Sequence, residues 1–392
     1  MKRLLFLAPS LPSPTYGGGA SRMYQLVRFL GQRFDLDLIA PETPGTEESE
    51  AQLRSWCREV EIVPPTQQPA WRRGSRLGPY EKDPALAETI LHRLRDRRYG
   101  ALQIEKPAMI PYLPADLHIP LVLDIWAYGL AGPIRAMRQE KGTLVRARNA
   151  IRVMRFGLFD AFCWPHTACV LVVSKEDRRR CLRTRPERQV LVVPNGVDSS
   201  NVMPPLSNEF PHGVILFTGD LTFGPNIDAA ELLALHLLPR VLASHPEAEL
   251  RLVGRNPDPR VQRLAGPRVR IIANVPDMRP YLHDATVFAA PHFTGAGTRT
   301  KILEAMAAGL PVVTTSIGTQ GIEAEAGRDL IVADDLPALG EALCGLLADP
   351  WMRADLGRAA RRLIEDRYDW DRCLAPLEGL YHTWLKDRAI AC

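Results

Sequence analysis

Short apolar runs alternate with helical patterns along this chain, and they do so twice over. The first series comprises Arg3–Ala8, Leu36–Ile39, Glu59–Val63, Ala101–Ile104, Leu121–Asp124, Val170–Val173 and Val190–Val193. The second comprises Val214–Thr218, Leu250–Val253, Val269–Ile272, Val287–Ala290, Pro311–Thr314 and Leu330–Val332. Strands of this kind, each followed by a helix, predict parallel sheets covered on both faces. Between the two series, Pro194-Asn195-Gly196-Val197-Asp198 and a polar, proline-rich segment to Pro211 break the alternation and read as a linker. At 392 residues the chain is also too long for one ordinary core. The expected fold class is therefore α/β with two doubly wound, Rossmann-like lobes, one ending at residue 194 and the other opening at 195.

In such sheets ligands bind beyond the carboxyl ends of the strands. The most informative segment of this kind follows Val287–Ala290: a small-residue turn holding Gly295 and Gly297, then Thr298-Arg299-Thr300-Lys301 opening a helix that carries Glu304. Thr298 or Thr300 is expected to cap that helix. Its free N–H groups and positive dipole end favour phosphate. Arg299 and Lys301 oppose the dipole, a placement that makes sense if they face a polyanion. Glu304, about one turn on, is placed to accept hydrogen bonds from ribose hydroxyls. Phosphate plus ribose reads as a nucleotide.

In the first series, a loop closing on Gly17, Gly18 and Gly19 lies between the first strand and helix, which is a phosphate-binding context. Arg22 holds the third position of G-x-G-x-x-G, which disfavours a dinucleotide-binding oxidoreductase. Glu105 and Asp124 fall at strand ends, where either is placed to orient or deprotonate an acceptor hydroxyl, or else to cap the next helix. The stretch 141–156 is cationic, with Arg146, Arg148, Arg152 and Arg155 among apolar residues. It reads as a half-buried helix with a solvated basic face or as a surface for anionic lipid or a lipid-phosphate acceptor.

Composition narrows the classes further. A net charge of +4 is too small for the length to argue for nucleic acid. Seven scattered cysteines without a C-x-x-C pair predict reduced thiols in a cytoplasmic protein and no zinc site. The apolar opening breaks at Pro9, so a first buried strand is preferred to a signal peptide, and no run is long enough to span a membrane.

The string Lys301-Ile302-Leu303-Glu304-Ala305-Met306-Ala307-Ala308-Gly309-Leu310-Pro311-Val312-Val313 closely resembles the donor-site motif of glycosyltransferase family 4, and Pro194–Asp198 resembles the P-N-G-V-D that joins the lobes there. The resemblance implies a retaining, metal-independent GT-B glycosyltransferase, its lobes facing a cleft, using a nucleotide-diphosphate sugar with no separate cofactor. By that likeness the donor contacts are Gly18, Gly19, Gly219, Val275, Gly297, Thr298, Arg299, Thr300, Lys301 and Glu304. Lys301 and Arg299 would offset leaving-group charge, and Asp124 and Glu105 would serve the acceptor, which is a sugar, a lipid-linked sugar or a small molecule. The resemblance also implies that the terminal helix, 370–392, completes the first lobe, leaving 195–369 as the second.

Three departures stand out. A family histidine two residues after the aspartate is here Trp126; the first glutamate of E-x7-E is Ala296; and the usual arginine and lysine of the loop after the second lobe's first strand are replaced by Asp220 and the stretch around Pro225 and Asn226. The rival readings are a degenerate nucleotide-sugar-binding subunit and a nucleotide-sugar 2-epimerase, the latter disfavoured by the lack of histidine near Asp124.

Overall fold

The structure, a computed structural model, describes residues 2–14, 18–44, 46–66, 82–95, 99–126, 142–162, 167–204, 213–295 and 297–385. Within them the chain divides into two units, 1–194 with 373–392, and 195–372.

The first unit is built on β1 (Arg3–Leu7), β2 (Leu36–Pro41), β3 (Glu59–Val63), β4 (Tyr99–Glu105), β5 (Leu121–Ile125), β6 (Cys169–Val172) and β7 (Val190–Val192). Their order among the described residues is β3-β2-β1-β4-β5-β6-β7, all parallel. The register pairs Leu5 with Leu102 and Leu102 with Leu121, so consecutive strands lay apolar side chains side by side. Helices α1 (Gly18–Gly31), α2 (Glu47–Trp56), α3 (Pro84–Arg95), α4 (Thr143–Phe162) and α5 (Lys175–Thr184) connect them. From β1 the chain winds outward to β3 and then restarts on the other side at β4. The crevice between β1 and β4 is therefore the switch point where this topology places ligands.

The second unit repeats the plan with β8 (Val214–Asp220), β9 (Glu249–Arg255), β10 (Val269–Ala273), β11 (Val287–Ala290), β12 (Val312–Thr314) and β13 (Ile331–Val332), in the order β10-β9-β8-β11-β12-β13. Its switch point lies between β8 and β11. Helices α6 (Gly224–Leu232), α7 (Thr300–Ala307), α8 (Leu336–Ala348), α9 (Pro350–Leu363) and α10 (Trp370–Leu385) follow the strands. Asp335 and Asp349 cap α8 and α9 with their carboxylates, each just before a helix with proline in its first turn.

The chain passes from the first unit to the second at Pro194 and Asn195, and residues 195–204 are held close to the second unit. Val197 bridges to Asp369, and the Arg361 guanidinium donates to the carbonyls of Ser199, Val202 and Ala307, so the segment is pinned to the second unit. Residues 205–211 lie outside the described residues. From Cys373 onward α10 belongs to the first unit, where Leu374, Leu377, Tyr381 and Leu385 are buried. The Tyr381 hydroxyl donates to Gln103 of β4 at 2.5 Å.

Candidate functional site

In the second unit the switch point gathers the ends of β8 and β11 with the first turns of α6 and α7. Gly295 and Gly297 take φ of 97° and 84°, the left-handed region that side chains resist, and so let the chain turn sharply off β11 into α7. The capping expectation is corrected here. Arg299 is the N-cap residue and gives no side-chain cap, while Thr300 is already the first helical residue. The Thr298 hydroxyl is buried without a hydrogen-bond partner among the described residues, beside Gly321, where a Cβ would come within 2.4 Å of it. The Ile302 N–H bonds the Arg299 carbonyl at 2.9 Å, and the N-cap side chain caps none of the first-turn N–H groups of α7, where a helix start favours an anion or water.

Arg299 and Lys301, paired in the sequence reading, have different tasks. Arg299 is 9 % exposed, and its guanidinium donates to the carbonyls of Gly297 (3.1 Å) and Thr294 (3.0 Å). It latches the turn from within. Lys301 instead extends toward β8. Its Nζ donates to Asn226 Oδ1 at 2.7 Å and lies 4.3 Å from the centroid of the Phe217 ring. Gly219, at the end of β8, makes room for it, because a Cβ there would stand 2.5 Å from Lys301 Nζ. Burial pushes the Lys301 ammonium down to about 7; Arg299 adds to the shift, while Glu304 and Asp220 oppose it.

Glu304 is half-buried and has no hydrogen-bond partner among the described residues, and burial raises its carboxyl above the usual range while Lys301 works the other way. His292, 1 % exposed, lies 5.8 Å from Phe217 ring to ring. Burial together with Lys301 and Arg299 holds it neutral, down to about 2. Val275 follows β10, its side chain against the second unit's core, two strands away from β8. Ala296 lies outside the described residues.

The first unit's switch point is a polar cluster. Gly17 lies outside the described residues, and Gly18 and Gly19 form the first turn of α1 instead of a loop. The Trp126 indole occupies the space over Gly19, where a Cβ would be 1.7 Å from its ring. Trp126 Nε1 donates to Glu105 (3.0 Å), whose other oxygen accepts from Gln103 (2.7 Å). Lys106 lays its ammonium 3.7 Å from the indole centroid. Its backbone, at φ 69° and ψ 151°, is in a region normally reserved for glycine, a strain usually retained at working sites.

The two strand-end carboxylates both lie inside the fold. Asp124 is fully buried, and both its oxygens take hydrogen bonds from the Arg22 guanidinium, at 2.7 and 3.1 Å. Glu105 is equally buried, and desolvation with the neighbouring Asp124 charge holds its carboxyl well above the usual range, against the pull of Arg22. Arg22, Gln103 and Trp126 take up the oxygens of both carboxylates within the protein's own hydrogen-bond network. Arg22 was legible only as a break in a glycine motif. The usable signal was a cation on an otherwise apolar helix face, which needs a buried anion. Asn226, Phe217 and His292 were not assigned, because neutral residues in loops and strands carry no periodic signal.

Comparison with known proteins adds independent findings. The family model described as "Glycosyltransferase Family 4" matches residues 16–201, and the one described as "Glycosyl transferases group 1" matches 212–349. The chain is 33 % identical over 203 residues to a phosphatidyl-myo-inositol mannosyltransferase of Mycolicibacterium smegmatis, covering 49 % of this chain and 51 % of that protein. It is 33 % identical over 147 residues to a GDP-mannose-dependent monoacylated alpha-(1-6)-phosphatidylinositol monomannoside mannosyltransferase of Corynebacterium glutamicum, covering 34 % and 39 %. The chain thus spans about half the length, or less, of the curated relatives it matches. Among solved structures, sucrose-phosphate synthase from Thermosynechococcus elongatus superposes with a TM-score of 0.69 at 18 % identity, over 97 % of this chain and 99 % of that one. Anabaena Alr3699/HepE, in complex with UDP and glucose, gives 0.66 at 14 % identity, over 98 % and 100 %.

Proposed function

We propose, from the premise that this chain belongs to glycosyltransferase family 4 and has the GT-B fold, that it moves a sugar from a nucleotide-diphosphate sugar to an acceptor hydroxyl with retention of configuration. Polysaccharide, glycolipid or glycosylated natural-product biosynthesis is the setting. The observation that carries the reading is the meeting, at one strand switch point, of the Lys301 ammonium, the space at Gly219 and the Glu304 carboxylate, which has no hydrogen-bond partner among the described residues.

In this reading the pyrophosphate lies against the first turn of α7. Lys301 and the N–H groups there stabilise the charge that develops as the sugar leaves. Glu304 accepts from the ribose hydroxyls, and the backbone at Val275 meets the base. Arg299 acts on the phosphates through the turn it holds, and no metal or separate cofactor is invoked. The first unit reads the acceptor, with Lys106 and Trp126 at its switch point as the exposed part of a cluster whose foundation is the Arg22–Asp124 pair.

The acceptor class favoured is lipid-linked, with peripheral contact at the cytoplasmic face of a membrane. Support comes from α4, where Ile151, Met154 and Leu158 are 56 %, 57 % and 51 % exposed on one helical face with Arg148 nearby. The phosphatidylinositol-directed relatives agree with it. Among the described residues no helix is long and apolar enough to cross a membrane.

The test is donor hydrolysis and transfer across UDP-, GDP- and dTDP-sugars with a broad acceptor panel. Turnover lost in Glu304→Ala and Lys301→Ala, the latter by about a hundredfold, supports the proposal. Donor binding without turnover on any acceptor would favour a degenerate binding subunit.

A further inference from the structure

We infer that Asn226 is the positioning residue of the donor site: its amide holds the Lys301 ammonium beside the Gly219 opening without neutralising it. The inference rests on the donor-site reading above and adds a residue and a linked proton to it.

Asn226 is the third residue of α6 and is 7 % exposed. Its Nδ2 donates to the Asp220 carbonyl at 2.7 Å, and its Oδ1 accepts from Lys301 Nζ at 2.7 Å. A carbonyl only accepts and an ammonium only donates, so the orientation of the amide between them is fixed by chemistry. One end of the amide ties the start of α6 to β8; the other fixes where the lysine of α7 points. The Phe217 ring beneath and Gly219 beside the ammonium complete its seat.

A carboxylate in this place would form an ion pair with Lys301 and compete with phosphate for it. A cation would drive Lys301 away. Asparagine holds the ammonium yet leaves its charge to the ligand. The other charged or titratable groups facing it are consistent with that. Asp220 is exposed, with its carboxylate turned to the N–H and hydroxyl of Thr222. His292 is neutral, Arg299 is held by its own turn, and Glu304 is on the same helix.

With the ammonium pushed down to about 7 in the free protein, the site is partly uncharged above neutral pH. A bound pyrophosphate restores the charge, so donor binding takes up a proton. Affinity should then fall about tenfold per pH unit above that value.

The experiment is calorimetric titration of the full chain with UDP-glucose and GDP-mannose between pH 6 and 9, in buffers of different ionisation heat. The esterified pyrophosphate of these probes has no proton to exchange in that range. Wild type is expected to show the loss of affinity and uptake approaching one proton near pH 8. Asn226→Asp, nearly isosteric, should bind more weakly at pH 6, because its carboxylate competes for the ammonium. The same variant should keep its affinity to a pH about one unit higher and take up far less proton at pH 8. Asn226→Leu, with folding checked by its melting temperature, should lose affinity about tenfold at every pH.

An unmoved pH profile in Asn226→Asp, with nucleotide-sugar binding still abolished by Lys301→Ala, would overturn the inference and leave the donor site standing. Wild-type affinity in Lys301→Ala would instead remove the donor-site reading, and this inference with it.

Discussion

Lys301 serves the fold poorly and the ligand well. Its folded pKa of about 7 lies below the usual lysine value, so the unfolded chain binds more protons between that value and about 10.4. The residue's charge therefore costs stability in full below pH 7, and the cost is relieved as pH rises through this window. Lys301→Met should accordingly raise the melting temperature at pH 6 while lowering turnover about a hundredfold, a trade-off that calorimetry and a donor assay together reveal. Asp124 is the opposite case, a residue whose charge the fold requires. Removing either partner of the buried Arg22–Asp124 pair strands the other, at a cost of about 3–5 kcal/mol. Asp124→Asn should show that loss in urea unfolding, with the pH profile of any remaining turnover unchanged; a shifted profile would return Asp124 to the chemistry. Lys301 and Glu304 were legible in the sequence because a long specific string carried them. The enclosure of Asp124 and the inward turn of Arg299 were not, since both depend on partners that only the fold supplies.

At the scale of elements, thirteen apolar runs read from the sequence appear as the strands of two parallel sheets, with ends displaced by a residue or two. Apolar runs report burial on both faces, which a parallel sheet requires and a turn does not. What escaped was chemistry at the element ends: α7 begins without a threonine cap, and the glycines before α1 lie inside the helix. Two glycines at the end of the second sheet separate function from fold. At Gly219 a Cβ would meet the far end of the Lys301 side chain, at 2.5 Å, which can yield. Gly219→Ala is thus expected to weaken donor binding about tenfold or more and, because the backbone there holds a φ of 152° that side chains rarely adopt, to cost about 1–3 kcal/mol of stability, measured by titration and urea unfolding. At Gly254 a Cβ would stand 1.8 Å from the Gly219 carbonyl oxygen, which is backbone and cannot yield. Gly254→Ala should fail to give a stable fold. On α4, Ile151→Glu with Met154→Glu should abolish co-sedimentation with vesicles containing anionic lipid and leave turnover on a soluble acceptor intact.

The whole molecule is one plan used twice, each unit gathering polar residues where its strand order reverses. The second unit's gathering is cationic, with Lys301 held by a neutral amide and a ring, and with no hydrogen-bond partner for Glu304 among the described residues. The first unit's gathering is largely satisfied within itself, with Lys106 and Trp126 half-exposed above it among the described residues. The central claim, that a nucleoside diphosphate binds the second unit at Lys301, is tested most directly by thermal unfolding of wild type and Lys301→Ala with UDP, GDP and dTDP. A ligand at a hundred times its Kd stabilises the folded state by about 2.7 kcal/mol. The account predicts a concentration-dependent rise in the melting temperature of wild type with at least one of the three, absent in Lys301→Ala. No rise with any of them, or the same rise in both proteins, would contradict it.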